Sequence, residues 1–326
     1  MKLARPLAVL ALLAVPIWLW VPHGASAAEP AAAQAAPVDS RVASAGCDTS
    51  TDLAAGKTVQ QSITSGGRTR PYFLHLPAGY QDGEATPLIL AFHGHNGTGA
   101  DVEAYSGIDD LDAIAVYPVG AAGTDGGTSW QSAPYASDDV DDVQFVSDLL
   151  DGLQGSLCVD PDRIYATGKS NGGGFTALLA CRLPHRIAAF ATVSAAFYPG
   201  TTTGCDGSQP VPYLDFHGVA DTTVPYAGGT SHGAKLPSLT DWMNDWVEHN
   251  GCTEPSSRTI GSDVTKYFWL GCTQDATVVH YKIANDGHTW PGDLVDSGPG
   301  ASTRTISATD VMWSFFGKHP LDHRPL

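Results

Sequence analysis

Residues 164–175 read Ile-Tyr-Ala-Thr-Gly-Lys-Ser-Asn-Gly-Gly-Gly-Phe, an apolar run that breaks into the pentapeptide Gly168-Lys169-Ser170-Asn171-Gly172. The flanking glycines allow a sharp, strained turn from strand into helix that lifts the Ser170 hydroxyl clear of a sheet edge. In a chain with 36 glycines the G-x-S-x-G pattern is weak by itself. Its context sharpens it: Arg163 to Thr167 reads as a short buried strand, and Gly173 to Cys181 as a helix with small residues where it packs on the sheet. Ser170 is therefore a candidate nucleophile.

Outward from this turn, strand-like runs at Tyr72–Leu76, Pro87–His93, Ala113–Val119, Ala188–Val193, Tyr213–His217 and Val278–Ile283 alternate with helical ones at Val140–Leu153, Phe175–Leu183, Leu239–His249 and Ala308–Gly317. Such alternation predicts an α/β fold, a mostly parallel sheet with helices on both faces. Reactive residues then belong at the carboxyl ends of strands. Ser170 follows one strand, Asp221 the strand ending Asp215-Phe216-His217-Gly218, and His288 the strand ending Tyr281-Lys282-Ile283. The chain order Ser, Asp, His is that of α/β-hydrolases.

In that arrangement His288 takes the Ser170 proton and returns it to the leaving alcohol, while Asp221 holds the imidazole tautomer. Asp215, inside its strand, and His217, at its end, are competitors for these roles. Asp221 is preferred because Gly218-Val219-Ala220-Asp221 places it on the loop beyond the strand. Of the other candidate histidines, His93, His95, His217, His232, His249, His280, His319 and His323, most read as structural or exposed. His288 differs in lying on the glycine-bracketed turn Asp286-Gly287-His288-Thr289-Trp290-Pro291-Gly292. The oxyanion needs two backbone N–H donors, expected from Asn171 and from His95 in the His93-Gly94-His95-Asn96-Gly97 loop. Asn96-Gly97-Thr98 is also a glycosylation sequon, expected to be unoccupied because a sugar would crowd that loop.

The N-terminus, with Lys2 and Arg5 before an apolar run to Val21 and then Ala25-Ser26-Ala27, reads as a signal peptide over residues 1–27. Its removal leaves 15 basic against 34 acidic residues and moves the net charge from -17 to -19. That excess argues against nucleic acid or anionic lipid as a partner. Residues 28–45, Ala-rich with Pro30 and Pro37, read as a disordered segment, and 46–326 as a single catalytic domain. Six cysteines in an exported chain predict disulfides. Spacing suggests Cys181 with Cys205 and Cys252 with Cys272, leaving Cys47 to join Cys158. No metal-ligand spacing is present, and neither metal nor cofactor is expected.

Four motifs together, Leu90-Ala91-Phe92-His93-Gly94, Gly168 to Phe175, His217-Gly218-Val219-Ala220-Asp221 and Gly287-His288-Thr289-Trp290-Pro291-Gly292, resemble the secreted feruloyl esterases and their polyhydroxybutyrate-depolymerase-like relatives of carbohydrate esterase family one. The resemblance runs from about Cys47 to Gly317 and implies an α/β-hydrolase fold. It further implies an extracellular serine esterase that releases ferulic acid from plant cell-wall polysaccharide, with poly(3-hydroxybutyrate) and acetylated xylan as alternative substrates. The short stretch between Ser170 and Asp221 leaves no room for a large lid, which favours a bulky polymer over a lipid. Trp130, Tyr226 and Trp290 are candidates for an aromatic wall against a feruloyl ring. The chain is expected to act as a monomer. A non-catalytic secreted binding domain would lack a triad or oxyanion element, and none is missing from the sequence.

Overall fold

The strand Thr86–Phe92 carries Leu88, Leu90 and Phe92 on one face and Ile89 and Ala91 on the other, all buried. Apolar side chains on both faces require cover from both sides, which is what helices on either face of a parallel sheet supply. In the computed structural model, which describes residues 43–321, that strand is the fourth across a sheet of ten.

The strands are β1 (Lys57–Ser65), β2 (Arg68–Leu76), β3 (Thr86–Phe92), β4 (Ile114–Pro118), β5 (Ala121–Ala122), β6 (Thr128–Ser129), β7 (Val159–Lys169), β8 (Ala189–Val193), β9 (Tyr213–Gly218), β10 (Gly229–Ser231), β11 (Ala234–Leu236), β12 (Glu254–Ile260), β13 (Val264–Leu270) and β14 (Val278–Ile283). The main sheet runs β1-β2-β4-β3-β7-β8-β9-β14-β13-β12. Its central members, β4, β3, β7, β8, β9 and β14, are mutually parallel. Antiparallel pairs flank them, β1 and β2 at one edge and β13 and β12 at the other. The short pairs β5-β6 and β10-β11 stand outside the main sheet.

Among the described residues, five α-helices cover this sheet: α1 (Gly99–Ser106), α2 (Asp142–Ser156), α3 (Asn171–Arg182), α4 (Leu239–His249) and α5 (Ala308–Phe316). One core layer packs α2, α3 and α4 through residues such as Leu149, Phe175, Trp242 and Trp246 against Leu88, Leu90, Phe92 and Phe190. The opposite layer packs α1 and α5 through Val102, Tyr105, Met312 and Phe316 against Ile89, Ala91, Tyr165 and Phe216. Full burial of each such side chain contributes about 1.5–3 kcal/mol. Both layers require the same alternation along β3, so a one-residue slip would exchange the two sets of side chains.

The α/β reading holds, and the central strands fall where the apolar runs predict them. Predicted α3 starts late, because its first turn is the glycine run after Ser170. Missing from the sequence reading are β1, β12, β13 and α1, together with the short strands β5, β6, β10 and β11. The sequence of β12, Glu-Pro-Ser-Ser-Arg-Thr-Ile, is exposed along almost its whole length, and Pro255 suits an edge strand. Only pairing to β13 reveals it. Helix α1 is one short capped segment in which the Thr98 N–H donates to Asp101 Oδ2 at 2.7 Å.

Three disulfides are present, Cys47–Cys158, Cys181–Cys205 and Cys252–Cys272. Ser44, just upstream of the predicted boundary at 46, is buried, and its hydroxyl donates to Leu157 O at 3.0 Å. The signal-peptide reading and most of the Ala/Pro-rich segment lie outside the described residues. Among the described residues, no helix is long and apolar enough to cross a membrane.

Candidate active site

Ser170 sits between β7 and α3 with φ +57° and ψ -121°, a conformation that costs a non-glycine residue about 1–3 kcal/mol. Its backbone is held by three hydrogen bonds: its N–H donates to Val193 O at 3.0 Å, and its carbonyl accepts from Gly174 N at 3.0 Å and Ala196 N at 2.9 Å. A side chain at Gly172 would lie 2.3 Å from Phe92 O, and one at Gly168 would lie 2.4 Å from Gly172 O. Both glycines are thus required by close backbone approach. The Ser170 side chain is half-buried and does not cap α3, so its hydroxyl is not consumed by the helix terminus it begins.

Asp221 follows β9. Its Oδ1 accepts from the N–H groups of Thr223 and Val224, each at 2.8 Å, and its Oδ2 lies 2.8 Å from His288 Nδ1. His217 Nε2 stands 3.4 Å from the same Oδ2 and 2.8 Å from Val224 O. Burial pushes the Asp221 carboxyl up, but the hydrogen bonds from His217 and His288 outweigh it and hold the group well below the usual carboxylate range. It is an anion at any working pH.

His288 lies on the loop after β14, and this loop and the Asp221 loop share backbone. Ala220 N donates to Asp286 O at 3.0 Å, and a side chain at Gly218 would lie 2.2 Å from that oxygen. Burial lowers the His288 pKa below 6.5, the nearby charge of Lys169 lowers it further, and the Asp221 hydrogen bond opposes both. The neutral ring that results is the form a general base needs. Lys169 is itself buried, and desolvation brings its ammonium down to about 8. Among the described residues no hydrogen bond joins Ser170 Oγ to His288; such bonds are often long without substrate and tighten when it binds.

The His93–Gly97 loop abuts the serine, for a side chain at Gly94 would lie 3.2 Å from Ser170 Cβ. Gly120 N donates to His93 Nε2 at 2.9 Å, so the proton is on Nδ1, which lies 2.7 Å from Gly94 O. Burial lowers His93 to about 4 and keeps it neutral. With Gly97 N also donating to Gly94 O at 3.0 Å, that carbonyl is held on one side, which sends the His95 N–H to the other side of the planar peptide. The His95 ring stacks on Tyr135 with centroids 3.9 Å apart and lies 2.9 Å from Asp125. Asn171 opens α3, where a first-turn N–H has no partner within the helix.

Two aromatic candidates are corrected. Trp130 is fully buried, stacked on Phe175 at 5.2 Å, and donates from Nε1 to His93 O at 2.9 Å. Its backbone also clasps the Asn171 side chain, with N donating to Oδ1 at 2.8 Å and O accepting from Nδ2 at 3.2 Å. It ties together the two loops that flank Ser170 and presents no face to a substrate. Trp290 is likewise buried, donating from Nε1 to Thr309 Oγ1 at 3.1 Å. Tyr226 is half-buried, its hydroxyl 2.8 Å from His280 Nε2. The competitor Asp215 belongs to a second pair, with Oδ2 at 2.9 Å from His280 Nδ1. The parts played by His93, His217 and Lys169 escape sequence reading because each depends on contacts between separate loops. Among the described residues, no group of three His, Cys, Asp or Glu side chains could hold a metal.

No family model matches the chain. Feruloyl esterase C of Emericella nidulans is 30% identical over 275 residues, covering 79% of this chain and 88% of that protein. Feruloyl esterase B of Piromyces equi is 32% identical over 211 residues, 61% of this chain but only 39% of that protein. Among solved structures, acetyl xylan esterase from Aspergillus awamori superposes with a TM-score of 0.55 at 14% identity over 79% of this chain and 99% of that one, a likeness of fold. Sequence kinship over most of both chains and a shared α/β-hydrolase architecture place this chain in the feruloyl esterase family of serine carboxylic-ester hydrolases.

Proposed function

We propose that the protein is a secreted feruloyl esterase that cleaves feruloylated plant polysaccharide through an acyl-enzyme formed on Ser170. The observation that carries this reading is the 2.8 Å contact between Asp221 Oδ2 and His288 Nδ1 on the two loops beside the Ser170 elbow. Ser170 Oγ attacks the ester carbonyl as its proton passes to His288 Nε2. Asp221, held anionic, stabilises the imidazolium without taking the proton. The N–H groups of His95 and Asn171 receive the oxyanion, and collapse of the tetrahedral intermediate expels the sugar alcohol with the proton from His288. Water repeats the sequence and frees the acid.

The names of the relatives favour ferulate as the acyl group, and three disulfides favour an oxidising, extracellular setting. The test is an initial-rate comparison of the wild-type protein and Ser170→Ala on methyl ferulate, an acetylated xylan and a poly(3-hydroxybutyrate) suspension. Turnover of methyl ferulate that falls roughly a millionfold in the variant is expected. A variant that keeps a tenth of the rate refutes Ser170 as nucleophile, and clearing of the polyester with little ferulate release refutes the substrate.

A further inference from the structure

Strands β13 and β14 carry a row of flat rings that the reaction does not use. Trp269 and Tyr267, two positions apart and therefore on one face of β13, have centroids 6.4 Å apart and planes within 24°. Tyr267 pairs in register with His280, whose ring is 6.2 Å away and tilted by 18°. His280 is followed by Tyr226 at 5.7 Å and 39°. The row ends five residues beyond Asp221, on the same loop. The Asp215 carboxylate on Nδ1 and the Tyr226 hydroxyl on Nε2 fix the His280 ring from both sides. Trp269, Tyr267 and Tyr226 are each half-buried.

These rings, with Asn244 and Lys282, line a cavity of about 210 Å³. In a chain with 34 acidic residues, this cavity has no carboxylate in its wall. The Lys282 ammonium lies 5.0 Å from the Tyr226 ring centre and, among the described residues, has no acidic side chain within ion-pair distance. Flat apolar faces beside amide, hydroxyl and ammonium donors suit a ligand with C–H faces and hydroxyl acceptors, and the volume suits a single ring.

We propose that this row is a carbohydrate-binding track that holds the neutral pyranose backbone of the polymer while an attached ester reaches Ser170. The proposal rests on the reading of the protein as an esterase of feruloylated polysaccharide. Stacking on Tyr267 and Trp269 carries the binding, and Lys282 and Asn244 bond the ring hydroxyls.

The test combines two readouts on the whole protein. In a Ser170→Ala background, retardation by de-esterified arabinoxylan in affinity electrophoresis is expected to weaken about tenfold on Tyr267→Ala or Trp269→Ala, and to persist in Tyr267→Phe, which keeps the ring. With Ser170 intact, Tyr267→Ala is expected to leave kcat/KM on methyl ferulate within about twofold and to lower it about tenfold on feruloylated arabinoxylan. Unchanged retardation overturns the track. Equal losses on both esters also overturn it, since the rings would then merely prop the Asp221 loop. Displacement of the bound protein by free ferulate but not by xylo-oligosaccharide would make the cavity an aromatic-acid site instead. A wild-type protein that cleaves neither ferulate ester yet is retarded through Tyr267 refutes the substrate reading and leaves the track standing.

Discussion

At the scale of single residues, the proposed chemistry depends on what surrounds His288. In that proposal its neutral form is the base, so kcat/KM is expected to hold steady above its pKa and to fall as pH drops through it. Because burial and Lys169 depress that pKa, the acid limb of the profile is expected below pH 6.5, read from kcat/KM for methyl ferulate across pH 4–9. An acid limb centred above that value would contradict the depression. Asp221→Asn keeps the shape but loses the tautomer control and the charge, and kcat is expected to drop about 10⁴-fold. Trp130→Phe removes one hydrogen bond to His93 O, for which a kcat loss of about three- to tenfold with little change in KM is expected in steady-state kinetics. Ser170, Asp221 and His288 stand out in the sequence because each follows an apolar strand and lies among glycines. Trp130 does not, since a tryptophan that pins two loops and one that lines a cleft have the same local sequence.

At the scale of elements, legibility follows burial. Strand β3 is apolar on both faces and announces itself, whereas β1 alternates weakly and β12 scarcely at all. An edge strand is held by its ladder to one neighbour, and nothing in its own side chains needs to record that. The elbow shows the opposite case, in which local sequence is nearly sufficient. Gly172→Ala would set a methyl 2.3 Å from Phe92 O, and is expected to cost about 1–3 kcal/mol with loss of most esterase activity, measured by thermal melts and methyl ferulate turnover. The Cys47–Cys158 bond sits at the other end of β7 from Ser170, separated by a strand of 11 residues, roughly 35 Å. Replacing both cysteines by serine is therefore expected to lower stability by about 3–5 kcal/mol in denaturant titration while leaving kcat nearly unchanged.

At the scale of the whole molecule, ionisable groups buried where loops meet set the pH range of the fold. Asp286, on the His288 loop, is buried and one of its carboxyl oxygens has no hydrogen-bond partner; desolvation pushes it up to about 7. A carboxyl raised in the folded state keeps its proton while the unfolded chain loses it, so stability falls as pH rises from about 4 to 7. Asp286→Asn is expected to raise stability at pH 8 by on the order of 1 kcal/mol after solvent screening, read as a higher melting temperature, with little gain at pH 5; equal gains at both would deny the ionisation. Asp221 works in the other direction, since its depressed pKa contributes stability that is lost as pH falls. The amino-acid sequence by itself determined the α/β class, the elbow, the order of the three candidate residues and the family motifs, because strand burial and glycine turns are local and leave periodic or short-range marks. The tertiary structure alone decided that Asp215 belongs to His280 and Asp221 to His288, that Trp130 and Trp290 are supports, and that rings from two strands and a loop form one row. Those outcomes depend on which distant segments the sheet order sets side by side, and side chains that meet only across that order carry no trace of one another in sequence.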